Sequence, residues 1–151
     1  GVERRVAADF IERYFQRFPG VQQYMHSIVE TGKAQGYVST IFGRKRYFPE
    51  IKSSNGRFRQ MAERAVINMP IQGAAADIVK LAMIKVYQNL IKEGWNCRML
   101  LQVHDELIFE AEIEKLEKLK TEIQIWMENA VTLKVPLKVS IGAGQNWGEA
   151  H

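Results

Sequence analysis

Apolar residues recur at helical spacing from the start of the chain. Val6, Phe10, Ile11, Tyr14, Phe15 and Phe18 share one face of a segment from Val2 to Phe18, which Pro19-Gly20 ends. A second helix is expected from Val21 to Ala34, closed by Gly36. The stretch YVSTIFGRKRYF predicts a β-hairpin with Gly43 and three cations at its tip. After the polar loop KSSNG a helix begins near Phe58, and Pro70 must kink or end it, because proline has no amide hydrogen to donate. Helix resumes near Gly73 and runs to about Lys92, where Gly94 stops it.

The second half predicts two strands, Asn96 to Val103 and Leu107 to Ala111, on either side of a very short turn. A charged amphipathic helix from about Ile113 to Ala130 follows, and VPLKVSIGAG reads as a last strand. From Gly73 onward the order is helix, strand, strand, helix, strand. That is the ferredoxin-like β-α-β-β-α-β pattern without its first strand. The expected class is α+β, with a helical segment bearing a basic hairpin at 1–72 and an α-β-β-α-β segment at 73–151. The chain has no internal repeat and no low-complexity segment.

Composition narrows the classes. A chain of 151 residues that is 46% hydrophobic and 25% charged can build an ordinary globular core, so disorder is not expected. The single cysteine, Cys97, excludes an internal disulfide framework and a multi-cysteine zinc site, and fits a reducing, intracellular setting. No apolar run reaches membrane-spanning length, and GVERRVAADF has neither signal-peptide nor transit-peptide character, so a soluble protein is expected. Because the sequence starts without Met inside a helical pattern, it reads as a piece of something longer.

Charge is uneven. Between Arg44 and Arg64 there are seven basic residues (Arg44, Lys45, Arg46, Lys52, Arg57, Arg59, Arg64) and two acidic ones (Glu50, Glu63), a net +5. The whole chain carries +4, so the remainder comes to -1. Such a stretch fits either contact with a polyanion or a solvated face, and charge alone does not choose between them.

Chemistry concentrates in two places. In LLQVHDELIFEA, residues 100–111, an apolar run is broken by His104, Asp105 and Glu106. A two-residue hairpin loop favours Asn-Gly or Gly-X because its centre needs positive φ, so His-Asp implies selection for something besides the turn. The flanking strands are apolar on both faces, as at the centre of a sheet, and they would hold Asp105 rigidly at its edge. Mg²⁺ takes hard oxygen ligands and keeps several waters, so one or two carboxylates suffice to bind it. The alternative is that Asp105 caps the turn and Glu106 sits in water. His104 alone reads as a turn histidine; no second histidine or cysteine stands at zinc-ligand spacing, since His26 and His151 fall in unrelated contexts. In RAVINMPIQG, Arg64, Asn68 and Gln72 are spaced four apart, which puts them on one helix face. Arg, Asn and Gln side chains suit base edges and phosphates, and a solvated polar stripe is the alternative.

RAVINMPIQGAAADIVKLAM, MLLQVHDELIFEA, GYVSTIFGRKRYFP and the terminal GQNWGEAH together resemble the C-terminal part of family A DNA polymerases, the bacterial DNA polymerase I group. The resemblance covers essentially the whole chain in the family's order, and four spaced motifs make it specific. It implies that 1–72 belong to the fingers and 73–151 to the palm, with VHDE as the family's C motif and the chain ending where the family ends. By the same resemblance Asp105 is one of two aspartates binding a catalytic Mg²⁺ pair, with Glu106 a lesser carboxylate beside it. His104 and Gln72 would contact the primer end, Gln72 near the minor groove; Arg64 and Asn68 would line the primer-template junction; Arg44 and Arg46 would reach backbone phosphate. Ala74 departs slightly from the family, which often has Thr or Ser there.

The implied activity is template-directed nucleotidyl transfer to a primer 3′ end, in DNA replication and repair. The partners are primer-template DNA, deoxynucleoside triphosphates and the upstream remainder of the polymerase. The implied setting is the cytoplasm, at the nucleoid. The family's other metal-binding aspartate lies on the first palm strand, and its nucleotide-gripping helix also lies upstream, as do the thumb and any exonuclease domain. A two-ion site needs shared carboxylates, so the 151-residue chain by itself is expected to be inactive. Two other classes stay open on the residues: a non-catalytic nucleic-acid-binding module, for which the central strands offer only Phe109 as a stacking aromatic, and a metal-dependent nuclease using His104, Asp105 and Glu106.

Overall fold

A computed structural model describes residues 3–150. Val2, in the first expected helix, and His151 lie outside the described residues. The chain divides into two compact units, Gly1–Ala74 and Ala75–His151, and its class is α+β. No helix among the described residues is long and apolar enough to cross a membrane.

The first unit opens with α1 (Arg4–Arg17) and α2 (Pro19–Gln35). Proline begins α2 because its fixed φ suits a first helical turn, where the amide hydrogen has no helical partner. Gly36 closes the helix in the left-handed region (φ 76°), its N–H donating to the Gly32 carbonyl at 2.8 Å. The apolar face of α1 forms, yet none of its residues is buried and Phe10 is 70% exposed. Periodicity says which residues share a face and nothing about what covers it.

The hairpin pairs β1 (Tyr37–Ser39) with β2 (Lys45–Tyr47), with Tyr37 opposite Tyr47 and Ser39 opposite Lys45. Only Arg44 of the three cations lies in the turn; Lys45 and Arg46 belong to β2, a correction to the expected tip. A single helix, α3 (Gly56–Glu93), then runs for 38 residues through Pro70. The expected break is thus absent. An interior proline costs about 3 kcal/mol, and burial offsets it: Pro70 is itself buried, and Ala62, Val66 and Met69 pack with Val38, Phe48 and Ile51 in the core of this unit.

The second unit takes the rest of α3, then β3 (Cys97–Val103), β4 (Glu106–Ala111), α4 (Leu116–Glu128) and the single turn α5 (Trp147–Ala150). Its core joins Val86 and Leu90 of α3 to Leu119, Ile123 and Trp126 of α4, with Met99 and Phe109 of the sheet against them. The sheet is the antiparallel pair β3-β4. The last expected strand, 135–144, is not one: it forms no ladder among the described residues and is held to α4 by side chains. Gln124 Nε2 donates to the Val139 carbonyl at 2.9 Å, and the Val139 N–H donates to Glu128 Oε1 at 3.1 Å. In a split βαβ arrangement another strand lies between the two that the helix connects. No such strand is present among the described residues, so 135–144 has nothing to pair with.

Candidate functional site

Pairing of Val103 with Glu106 leaves His104 and Asp105 as a two-residue loop. His104 adopts φ 54° and is the one non-glycine residue with positive φ among the described residues. Gln102 Nε2 supports it by donating to the His104 carbonyl at 3.0 Å. The strain the residue types imply is therefore present in the backbone. Asp105 is exposed on the loop and Glu106, the first residue of β4, is half-buried.

A β-bulge sets which way the end of the hairpin faces. Met99 pairs with Phe109 and Leu101 with Ile108, so Leu100 is the extra residue. One extra residue reverses the alternation of a strand. Met99 and Phe109 face the core, whereas Leu100 and Leu101 are both exposed. The strands are apolar on two faces as the sequence implies, but the expected central position in a sheet is not seen, since β3 and β4 have only each other among the described residues.

On α3, Arg64, Asn68 and Gln72 are all exposed, while Ala65, Val66 and Met69 between them pack into the core. Because the helix continues through Pro70, the three stay on one stripe up to Gln72. The stripe belongs to the first unit and the His104-Asp105 turn to the second.

The basic stretch is less available than its sequence suggests. Arg44 Nη2 donates to the Gly73 carbonyl at 2.9 Å, and Arg59 Nη1 to the Ser53 carbonyl at 3.2 Å. Lys45 Nζ lies 4.4 Å from the centre of the Tyr37 ring, and the Arg46 guanidinium carbon 5.0 Å from that of Phe48. Cation-π contacts leave exposed cations able to meet a phosphate as well. Sequence reasoning missed Thr40 and Gly73, which meet beneath Arg44; a glycine inside a helical pattern was the available signal.

Among the described residues no three His, Cys, Asp or Glu side chains gather into a metal-binding group. Cys97 is half-buried against the core of the second unit, and that burial pushes its thiol up, which disfavours the thiolate. One rigid exposed carboxylate with a second beside it in sequence does fit an ion such as Mg²⁺, which binds through few carboxylates and retains water.

Known proteins extend this geometry. The family model of DNA polymerase family A matches residues 1–149. The chain belongs to this family. DNA polymerase I of Bacillus caldotenax is 52% identical over 149 residues, covering 99% of this chain and 17% of its own length. The Geobacillus stearothermophilus enzyme of the same name is also 52% identical over 149 residues, with the same two coverages. Among solved structures, the Pol domain of Pol1 from M. smegmatis, in complex with DNA primer-template and dNTP, superposes with a TM-score of 0.94 at 46% identity. That match covers 99% of this chain and 26% of the Pol1 chain. The chain therefore spans about a sixth of the length of the curated family A relatives it matches.

Proposed function

We propose that this chain works as the C-terminal fingers and palm portion of a DNA-directed DNA polymerase, with 1–72 in the fingers and 73–151 in the palm. The observation that carries the proposal is the strained His104-Asp105 loop, which aims an exposed carboxylate from a stiff hairpin in a chain of family A. The M. smegmatis relative was solved with primer-template DNA and dNTP, which supports the same partners here.

In this proposal Asp105 is the metal ligand of the catalytic centre and Glu106 a supporting carboxylate. Asp105 would help to hold Mg²⁺, which would supply charge stabilisation at the attacking 3′-oxygen and at the leaving pyrophosphate. Two ions need bridging carboxylates from more than one strand, so the isolated chain is inactive and depends on the rest of the polymerase. His104 and Gln72 hold the primer end, Gln72 toward the minor groove. Arg64 and Asn68 line the primer-template junction, and Arg46 meets backbone phosphate. Exposure of Arg64, Asn68 and Gln72 along one helix stripe supports these assignments, since each side chain can be reached by a ligand. Mechanistically, the chain's own part is to fix one anionic ligand and to orient a primer terminus, and positioning of that kind supplies much of the rate in phosphoryl transfer.

The test is Asp105→Asn in the complete polymerase. The substitution keeps shape and removes the anionic ligand, so primer-template affinity should persist while turnover falls by several orders of magnitude. Near-normal turnover at saturating Mg²⁺ sinks the metal-ligand assignment. Cleavage of DNA without nucleotides, lost with Asp105→Asn, would favour a nuclease instead.

A further inference from the structure

We infer that the tip of the first-unit hairpin is a clamp that sets the position of Gln72, and that Arg44 serves it as a positioning residue. The inference rests on the reading of Gln72 as a primer-end contact. The contacts that carry it are steric and hydrogen-bonded, and lie wholly within the first unit.

Gly73 follows Gln72 directly in α3. A β-carbon on Gly73 would stand 2.6 Å from Thr40 Cγ2 and 3.2 Å from Arg44 Nη2, too close for the methyl of a packed threonine. Thr40 cannot easily withdraw. It is the one buried polar residue among the described residues, only 4% exposed, and its hydroxyl oxygen accepts the N–H groups of Phe42 and Arg44, both at 3.3 Å. Its main chain is tied as well: Thr40 N–H donates to the Arg44 carbonyl at 2.9 Å, and Gly43 N–H to the Thr40 carbonyl at 2.9 Å. The hairpin tip is thus a closed ring of hydrogen bonds resting on the bare backbone of α3. Arg44 completes the contact by donating to the Gly73 carbonyl at 2.9 Å.

Two features point to positioning over simple packing. Glycine inside a helix is unfavourable relative to alanine, so its presence at 73 needs the close approach that only a missing side chain allows. The contact also falls at the residue after Gln72, where a shift of a few tenths of an ångström moves the end of the Arg64–Asn68–Gln72 stripe. The bond to the Gly73 carbonyl occupies one of the five N–H donors of the Arg44 guanidinium, so the salt dependence of binding is what separates positioning from a phosphate contact.

The experiment uses the complete polymerase and reads three quantities: hydrogen exchange of the 40–44 amides, extension from a mismatched primer end, and the salt slope of primer-template binding. Gly73→Ala should speed exchange at 40–44 and change mismatch extension on the order of tenfold, in the direction Gln72→Ala changes it. Thr40→Ser alone should be silent, because it keeps the hydroxyl. Combined with Gly73→Ala it removes the obstructing methyl and should restore both readouts. Arg44→Ala should match Gly73→Ala, leave the salt slope as in the wild type, and add nothing to Gln72→Ala in a double-mutant cycle. Slowed or unchanged exchange in Gly73→Ala, or no rescue by Thr40→Ser, overturns the clamp. A salt slope lowered by about one unit in Arg44→Ala, with full additivity to Gln72→Ala, overturns the positioning role and makes Arg44 a phosphate contact. If wild-type enzyme extends no primer while the exchange pattern and its rescue are as expected, the polymerase reading falls and the clamp stands.

Discussion

The Tyr24 hydroxyl of α2 donates to the main-chain carbonyl of Ile67 in α3 at 3.1 Å, just ahead of Pro70. Proline removes the N–H that would have reached the neighbouring Val66 carbonyl, so Tyr24 strengthens the helix where its own ladder is weakest. Burial pushes the Tyr24 phenol up, and a phenol is in any case a neutral O–H donor at ordinary pH. Tyr24→Phe should destabilise the protein by about 1 kcal/mol, read as a lowered denaturant midpoint with an unchanged slope. No change would mean that packing alone carries α3 through Pro70.

Lys33 supplies a pH-dependent link between the same helices. Its Nζ lies 3.2 Å from Glu63 Oε1 and 3.2 Å from Glu30 Oε1, and hydrogen bonds to Glu63 first and Glu30 second raise its pKa. A raised folded value stabilises the fold fully below the unfolded lysine pKa, about 10.4, and that contribution disappears as pH rises through the folded value. Lys33→Gln should therefore unfold slightly more easily than wild type at pH 7, with the two converging at strongly alkaline pH. The effect should be small, because the pair is exposed to solvent. Parallel denaturation curves with a constant gap across this range would remove the linkage.

Legibility from sequence followed how local each feature is. The positions of α1 and α2, the Gly36 cap and the β3-β4 hairpin were readable, because periodicity and turn chemistry act over a few residues. Pro70 misled, since the burial of Val66, Met69 and Pro70 that overrides it depends on chain far away in sequence. Segment 135–144 has strand composition, but a strand also needs a neighbour, and its own residues cannot report one. At the site, Arg64, Asn68 and Gln72 could be grouped from spacing, and the loop could be suspected from His-Asp in place of Asn-Gly. The bulge at Leu100 and the seating of Arg44 on Gly73 could not, as each depends on the register or approach of two separate segments.

Phosphate contact should be concentrated in β2. Lys45 and Arg46 are exposed despite their rings, so replacing both by Ala in the complete polymerase should flatten the salt slope of primer-template binding by about one to two units. Sequence preference should not change, because phosphates carry no base information. A slope equal to wild type would mean that these cations serve only the Tyr37 and Phe48 rings.

His104 allows turn chemistry to be separated from function. Its φ of 54° suits glycine better than any residue with a β-carbon. His104→Gly relieves that strain while adding freedom to the unfolded chain, so the two effects should nearly cancel, with stability within about 0.5 kcal/mol of wild type. His104→Val puts a β-branched residue in the same region and should destabilise the hairpin by about 1–3 kcal/mol. If the imidazole holds the primer end, His104→Gly should nonetheless lower primer extension on the order of tenfold, with the loss seen in correct nucleotide addition and not in the denaturation midpoint. A glycine variant that extends primers as well as wild type would make His104 a turn residue only, and the Asp105 carboxylate would then owe the loop its direction and nothing more.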